Sequence, residues 1–344
     1  MSALMFDKIL GCLIAAGVGD AMGAPSEGMC KSEIVEAYGG RIEGFVDGKD
    51  NEYSYGNHIG EITDDASQMY EMAKAVADCG GHLTVEAAAA ALVTWSESYP
   101  KYYPRNAGLT TSKVINALRG GGNPYELGKL GKMVGRGTTN GAAMRVAAAG
   151  LCKPGDYELA IENAVNMCRP SHATQHAFSG ACAIACGISE ALISTATTVS
   201  IVKACVYGAR RGEEIGLKTA RKASGIRVIN NIGSAIQAAL LSADMVDAED
   251  SIDAVTGSDG SIQSSVAAVL GLFLAADGDI RKTILSCANL GGDSDTNACI
   301  AGMLCGAFKG CGTIPEDWIG QFKEANPMID FESVAARLCA ITET

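Results

Sequence analysis

The sequence predicts an all-α fold, and three observations carry that prediction. Apolar residues recur at helical spacing along most of the 344 residues. Alanine is abundant and there are 42 glycines, while aromatics make up only 6% of the chain. Helices built this way are expected to pack closely on small side chains. Strand signals are sparse, and only residues 41–48, RIEGFVDG, read as a short extended piece. With 48% hydrophobic and 19% charged residues, the composition is that of a globule with a large core. No Pro/Ser-rich linker or fixed-period repeat divides the chain, so residues 1–344 are read as one domain.

The helices follow in order. Ile9, Leu10, Leu13 and Ile14 make a first apolar face. The run ILGCLIAAGV is read as a buried helix and not a signal-peptide core, because Asp7 and Lys8 precede it and Asp20 follows. In ASQMYEMAKAVADCGG, Met69, Met72, Ala73 and Val76 share a face, and a Gly-Gly pair stops the run. TVEAAAAALVTWSESY, TTSKVINALRGGG, NGAAMRVAAAGL and DYELAIENAVNMC come next, then a long helix from Ser171 to about Ser194. Further helices are expected to begin near Thr198, Ile226, Ser251, Gly260, Ile280, Asp293 and Glu332. Between them lie polar loops: residues 23–57, YPKYYPRNAG at 99–108, and GRGTTNG at 135–141. Such loops are where a helical scaffold displays a site.

Composition also narrows the function. The net charge is −12 and no basic block occurs, which argues against nucleic acid as a partner. The most apolar later run, VAAVLGLFLAA, is shorter than the ~20 residues of a membrane span, so no membrane partner is expected. The 13 cysteines are scattered through apolar stretches with no C-x-x-C pair. They read as free core thiols of a cytoplasmic protein. Neither a P-loop nor G-x-S-x-G is present.

Two acidic clusters remain. EITDDAS places Thr63, Asp64 and Asp65 before one apolar helix, and GGDSDT places Asp293, Asp295 and Thr296 before another. Capping and the helix dipole explain one aspartate at each start. Two beside a threonine, twice over, exceed what capping requires. The alternative is a site for hard cations, since carboxylates and hydroxyls suit Mg²⁺, Mn²⁺ or Ca²⁺. If the clusters meet, two cations about 3.5–4 Å apart would offset the charge. His58 and His82 read as loop residues. His172 and His176 fall at i, i+4 and are expected on one helical face. Asn140 is a candidate helix cap, with free N–H groups beside it for an anion.

Four blocks, in order, are similar to the ADP-ribosylglycohydrolase family, which includes the dinitrogenase-reductase-activating enzymes. They are GCLIAAGVGDAMGAPSEG, GEITDDASQM, NGAAMR with SHATQHAFSGACAIA, and GGDSDTNACIAGMLCGAFKG. The resemblance covers residues 11–310 and implies a single-domain all-α fold with two Mg²⁺ (or Mn²⁺) ions. It implies Thr63, Asp64, Asp65 and Asp295 on one ion, and Asp293, Asp295 and Thr296 on the other, with Asp295 bridging. It implies hydrolysis of a glycosidic bond at the ribose anomeric carbon, with Glu27, Asp64, Asp65 and Asp295 catalytic. Gly137, Thr138, Asn140, Gly141 and His172 fall at substrate-binding positions. The implied partner is an ADP-ribosyl or ribosyl group on a small molecule or a protein side chain. Nucleoside hydrolysis at the same centre is the alternative, and a decayed binding or structural protein a further one. The chain departs from the family pattern at Ala66, where a second threonine is common. It also departs at Thr139, where many members have glycine, with Arg136 upstream. The segment YPKYYPRNAGLTT is an unusual aromatic-basic insert, expected to take part in substrate recognition.

Overall fold

The computed structural model describes residues 2–131 and 136–343. Gly135, the first residue of the loop GRGTTNG, lies outside the described residues. Among the described residues the chain forms 17 α-helices, three short 3₁₀ turns and no strand. The first six helices are α1 (Ala3–Gly23), α2 (Lys31–Tyr38), α3 (Asp64–Asp78), α4 (Val85–Ser98), α5 (Leu109–Arg119) and α6 (Pro124–Leu127). Then come α7 (Ala147–Leu151), α8 (Tyr157–Cys168), α9 (Gln175–Ala191), α10 (Thr198–Thr219), α11 (Val228–Leu241) and α12 (Met245–Thr256). The last five are α13 (Ile262–Ala275), α14 (Ile280–Leu290), α15 (Ser294–Lys309), α16 (Glu316–Ala325) and α17 (Phe331–Ile341). Residues 41–48 take no strand, and β pairing among the described residues is limited to two isolated bridges, Thr139 with Ser261 and Thr174 with Arg221.

The core begins with α1, which is buried continuously from Lys8 to Gly23. A helix apolar on every side belongs at the centre. Its main partner is α15, and the two meet backbone to backbone. A Cβ on Gly19 would lie 2.0 Å from the Ala298 carbonyl oxygen, and one on Gly302 2.0 Å from that of Ala15. One on Gly306 would lie 2.1 Å from the Gly11 oxygen. The α9–α10 contact repeats the device, with Gly208 and Gly212 against the Cys182 and Phe178 carbonyls. One apolar cluster runs from Ile9 to Cys339. Ten of the 13 cysteines are buried, as core filling requires. No helix among the described residues is long and apolar enough to cross a membrane.

Three expected helices differ. NGAAMRVAAAGL is a 3₁₀ turn, Asn140–Ala142, followed by α7. The Gly141 carbonyl, which a helix would offer to the Arg145 amide, accepts from Arg145 Nε at 2.6 Å instead. The helix expected from Ser171 begins at Gln175, where the Thr174 side chain accepts from the Ala177 amide. His172 therefore precedes the helix and shares no helical face with His176. The helix expected near Ser251 begins at Met245, because Asp244 accepts from the Val246 and Asp247 amides. Three helices carried too weak a pattern to be read. The eight residues of α2 bury only Ile34, the four of α6 bury none, and α16 buries only Trp318 and Phe322.

Candidate metal centre and substrate cleft

The site is assembled from the N-termini of α3 and α15, which α1 holds side by side. Asp20, buried on α1, is the organising residue. Its carboxylate accepts from the Thr63 amide at 3.0 Å, the Thr63 hydroxyl at 2.8 Å and the Ala66 amide at 2.9 Å. Asp20 and Thr63 thus satisfy the start of α3, leaving Asp64 and Asp65 free for other partners. At α15, Asp293 occupies the cap position but makes no side-chain cap bond. Asp295 accepts from the Thr296 amide at 2.8 Å. Elsewhere in the chain, Asp244 and Asp279 do cap their helices. Capping therefore does not account for the paired aspartates here.

The two clusters meet. The Thr296 hydroxyl donates to Asp65 Oδ1 at 2.9 Å, and the Thr63 hydroxyl lies 3.3 Å from Asp295 Oδ2. Carboxylate oxygens of Glu27, Asp293 and Asp295 lie within 4.8 Å of one another. Glu27 arrives on the turn after α1, fixed from two sides. Asn51 Nδ2 donates to the Glu27 carbonyl at 2.7 Å. The Gly28 amide donates to the Gly292 carbonyl at 2.7 Å, and the Gly292 amide returns a bond to Met29 at 2.8 Å. Gly291 and Gly292 have φ of 74° and 63°, a region that favours glycine. Cβ atoms there would lie 2.0 Å from the Met29 oxygen and 2.3 Å from the Ser258 oxygen. The double glycine makes room for these two loop backbones, not for an ion.

So many carboxylates out of water shift one another. Burial first, and then Asp295, Asp293, Asp64 and Asp65, push Glu27 well above its ordinary range. Asp65 and Asp295 are likewise pushed well up, first by burial and then by neighbouring aspartates. Asp64 rises to about 8 through burial and Asp20, against the pull of Arg145. Burial raises Asp20 to about 6 despite its hydrogen bonds. Arg145 is the buried cation beside the cluster, and it reaches Asp64 through Gln68: Arg145 Nη1 donates to Gln68 Oε1, and Gln68 Nε2 donates to Asp64 Oδ2 at 2.7 Å.

A cleft of about 540 Å³ opens over the cluster. Glu27, Asp64, Asp65, Asp293 and Asp295 line one part of it, and Asn140, Gly141 and His172 another. Thr63 and Thr296 sit behind the carboxylates, outside the lining. Gly137 and Thr138 are also outside it. Their carbonyls accept from Thr174 Oγ1 at 2.8 Å and the Ile262 amide at 3.0 Å. Asn140 caps no helix; its Nδ2 donates to Ser265 Oγ at 2.9 Å and its amide to the Gly260 carbonyl at 3.0 Å. His172 is buried, and burial with the nearby Arg145 charge holds its imidazole well below the ordinary range, that is, neutral. The aromatic-basic insert divides. Tyr99 and Tyr102 enter the core, while Asn106, Gly108, Leu109, Thr110 and Thr111 line the cleft with Lys113, Tyr53 and Arg136.

The sequence reading assigned no role to Asp20, Gln68, Arg145 or Gly260. Asp20 had a signal, a lone charge in the apolar run GVGDAMG. Arg145 had one too, ending NGAAMR ahead of a run of alanines. Gly260 had none: its role is proximity, since a Cβ there would lie 2.5 Å from Asp293 Oδ2. The donor set of carboxylates and hydroxyls fits hard divalent cations, which would offset charge that Arg145 alone leaves largely uncompensated.

The family model for ADP-ribosylglycohydrolase matches residues 1–344. YegU of Escherichia coli (strain K12), an uncharacterized protein, is 29% identical over 340 residues, covering 96% of each chain. The ADP-ribosyl-[dinitrogen reductase] glycohydrolase of Rhodospirillum rubrum is 26% identical over 326 residues, covering 92% of this chain and 90% of that one. A solved structure titled ADP-ribosylglycohydrolase-related protein complex superposes with a TM-score of 0.68 at 21% identity, over 98% of this chain and 99% of the other.

Proposed function

The chain belongs to the ADP-ribosylglycohydrolase family, and from that premise we propose that it is a divalent-metal-dependent hydrolase of ADP-ribosylated proteins or small ADP-ribosyl compounds. Membership of the family makes it a glycohydrolase; the substrate and the metals are the proposal. The observation that carries it is the meeting of Glu27, Asp293 and Asp295 within 4.8 Å in a cleft that Asp64 and Asp65 also line. Thr63, Asp64, Asp65 and Asp295 would hold one Mg²⁺ or Mn²⁺, and Asp293, Asp295 and Thr296 a second. When bound, the cations would supply positive charge against a ribose diol and ease deprotonation of a water.

The chain's own groups have separable tasks. Asp20 fixes Thr63 and the first turn of α3, and so the backbone that carries Asp64 and Asp65. Glu27 keeps a proton more readily than an ordinary carboxyl, which suits a group that gives a proton to a departing acceptor. The carboxylates face a sugar that gains positive charge as its glycosidic bond breaks, and favour that state electrostatically. Asn140, Gly141 and His172 line the same cleft, and in this reading they would orient a bound ribosyl group. The buried free thiols fit a reducing cytoplasm.

The test is release of ADP-ribose from ADP-ribosyl-arginine with Mg²⁺ or Mn²⁺, followed by chromatography. Metal-dependent release supports the reading. Release of ribose from nucleosides without release of ADP-ribose would move the substrate to a simple N-riboside. Turnover of neither, with no binding of either ion, would leave a binding or structural role.

A further inference from the structure

His172 is wedged between two groups of fixed character. On one side Arg145 Nη2 lies 3.3 Å from His172 Nδ1, and Ser171 Oγ lies 2.8 Å from the same nitrogen. On the other side His172 Nε2 lies 2.8 Å from Thr139 Oγ1. A guanidinium only donates. A proton on Nδ1 would therefore point at the Arg145 N–H, so Nδ1 must carry the lone pair. The Ser171 hydroxyl can then donate to it as well. The single ring proton is left on Nε2, aimed at Thr139 Oγ1. With that oxygen accepting from His172, the hydroxyl's own proton is the one free to be given elsewhere. Thr139 lines the cleft, so a ligand oxygen bound there can receive that proton.

The guanidinium is not free to choose another arrangement. Arg145 is 1% exposed, with Nε on the Gly141 carbonyl at 2.6 Å and Nη1 on Gln68 Oε1. Gly141 permits the stack, since a Cβ there would lie 3.1 Å from His172 Nε2 and 3.3 Å from Arg145 Nη2. We infer that Arg145, acting through His172, fixes the Thr139 hydroxyl as a hydrogen-bond donor into the cleft, which makes Thr139 specificity-determining for a substrate oxygen that bears no proton. A phosphate oxygen and a ribose ring oxygen both have that chemistry. Arg145 and His172 are positioning residues in this scheme. The inference rests on the glycohydrolase reading only for the identity of the ligand.

Two measurements test it. The first is independent of any substrate. The chain has four histidines, so ¹⁵N-histidine labelling with long-range ¹H–¹⁵N spectra, and His172→Gln for assignment, reads the ring directly. The expected result at pH 7 is a protonated Nε2 and a bare Nδ1 for His172, with Arg145→Lys or Gln68→Leu giving a mixture of tautomers. A protonated Nδ1, or an imidazolium, in the wild type overturns the inference. The second is calorimetric titration of ADP-ribose and of ribose in Mg²⁺ buffer. Thr139→Val, which keeps the shape and loses the hydroxyl, is expected to weaken binding about tenfold, the size of one hydrogen bond to a charged group. Thr139→Ser is expected to restore it. A loss confined to ADP-ribose assigns a phosphate oxygen, and a loss shared with ribose assigns a sugar oxygen. Unchanged affinity for both overturns the inference. A wild type that binds neither ligand defeats the substrate reading of the preceding subsection, and the tautomer alone then decides this one.

Discussion

Gly260 offers the smallest change that reaches the carboxylates. Its backbone is unstrained, and an added Cβ would meet Asp293 Oδ2 at 2.5 Å with nothing else closer than 3.7 Å. Gly260→Ala is expected to displace the Asp293 side chain and weaken Mn²⁺ binding by tenfold or more. The metal-free protein should stay within about 1 kcal/mol of wild type, as substitutions outside the core usually do. Calorimetric Mn²⁺ titration beside thermal melting measures both, and unchanged metal affinity would remove Asp293 from the ligand set. Asp295→Ala and Asp293→Ala are both expected to abolish hydrolysis, with Asp295→Ala losing more metal because it is placed as the bridge. Asp295→Ala should melt, metal-free, at or above the wild-type temperature, because a buried like charge is gone. Near wild-type turnover of Asp295→Ala would end the two-ion scheme. The aspartates themselves were legible in the sequence, because paired charges before an apolar run are costly without a purpose. Asp20 and Arg145 were quoted in their motifs but carried no assignment. Their role is to hold other residues, and that depends on what lies opposite them in space. Gly137 and Thr138 were placed by motif alone, and in the structure their carbonyls accept from Thr174 and Ile262.

At the scale of elements, the contact of α1 with α15 decides where every carboxylate stands. Asp20 lies one residue after Gly19, and Asp295 three before Ala298, the residue Gly19 touches. A shift along or away from this seam would move the α3 cap against the α15 aspartates. Gly302→Ala tests the point. Alanine favours a helix by up to about 1 kcal/mol over glycine. Here its Cβ would fall 2.0 Å from the Ala15 carbonyl oxygen. Such overpacking typically costs about 1–3 kcal/mol or more, so a net loss of stability is expected, with weaker metal binding at a distance from the ligands. A stabilised Gly302→Ala protein would show that the seam has slack. The helix ends show where periodicity alone stops being informative. The long apolar helices α1, α9, α10 and α15 were legible because packing and local preference agree in them. The NGAAMR segment and the start of α9 were misread because side-chain bonds from Arg145 and Thr174 replace the backbone pattern that periodicity assumes.

For the molecule as a whole, the carboxylates make stability depend on pH and on cations. Asp64 and Asp20 rise from an ordinary 3.8 to about 8 and about 6, and Glu27, Asp65 and Asp295 move the same way. A raised folded value means the folded state holds the extra proton. The contribution is complete below the unfolded value and is lost as pH rises through the folded one. His172 has the opposite sign: its contribution is present above 6.5 and falls away as pH drops below that. The metal-free protein is therefore expected to lose melting temperature from pH 6.5 to pH 8, and Mg²⁺ or Mn²⁺ to restore most at pH 8. A cation-induced rise that is flat with pH would detach the carboxylates from the ion. The global fold class was legible because one helical pattern runs through most of the chain. The site's assembly was not, since no local pattern records which helix starts become neighbours. That same remoteness bears on how the chain is made. The seam between α1 and α15 joins segments such as Gly23 and Ser294 that are 271 positions apart. At 5–20 residues per second, α1 would wait roughly 15–55 s on the ribosome for its partner. Through that interval α3 can already engage α1 through Thr63, Ala66 and Asp20, but the face of α1 that carries Gly19 lacks its native partner. A helix buried from Lys8 to Gly23 is thus fully secured only once α15, far along the chain, has been made.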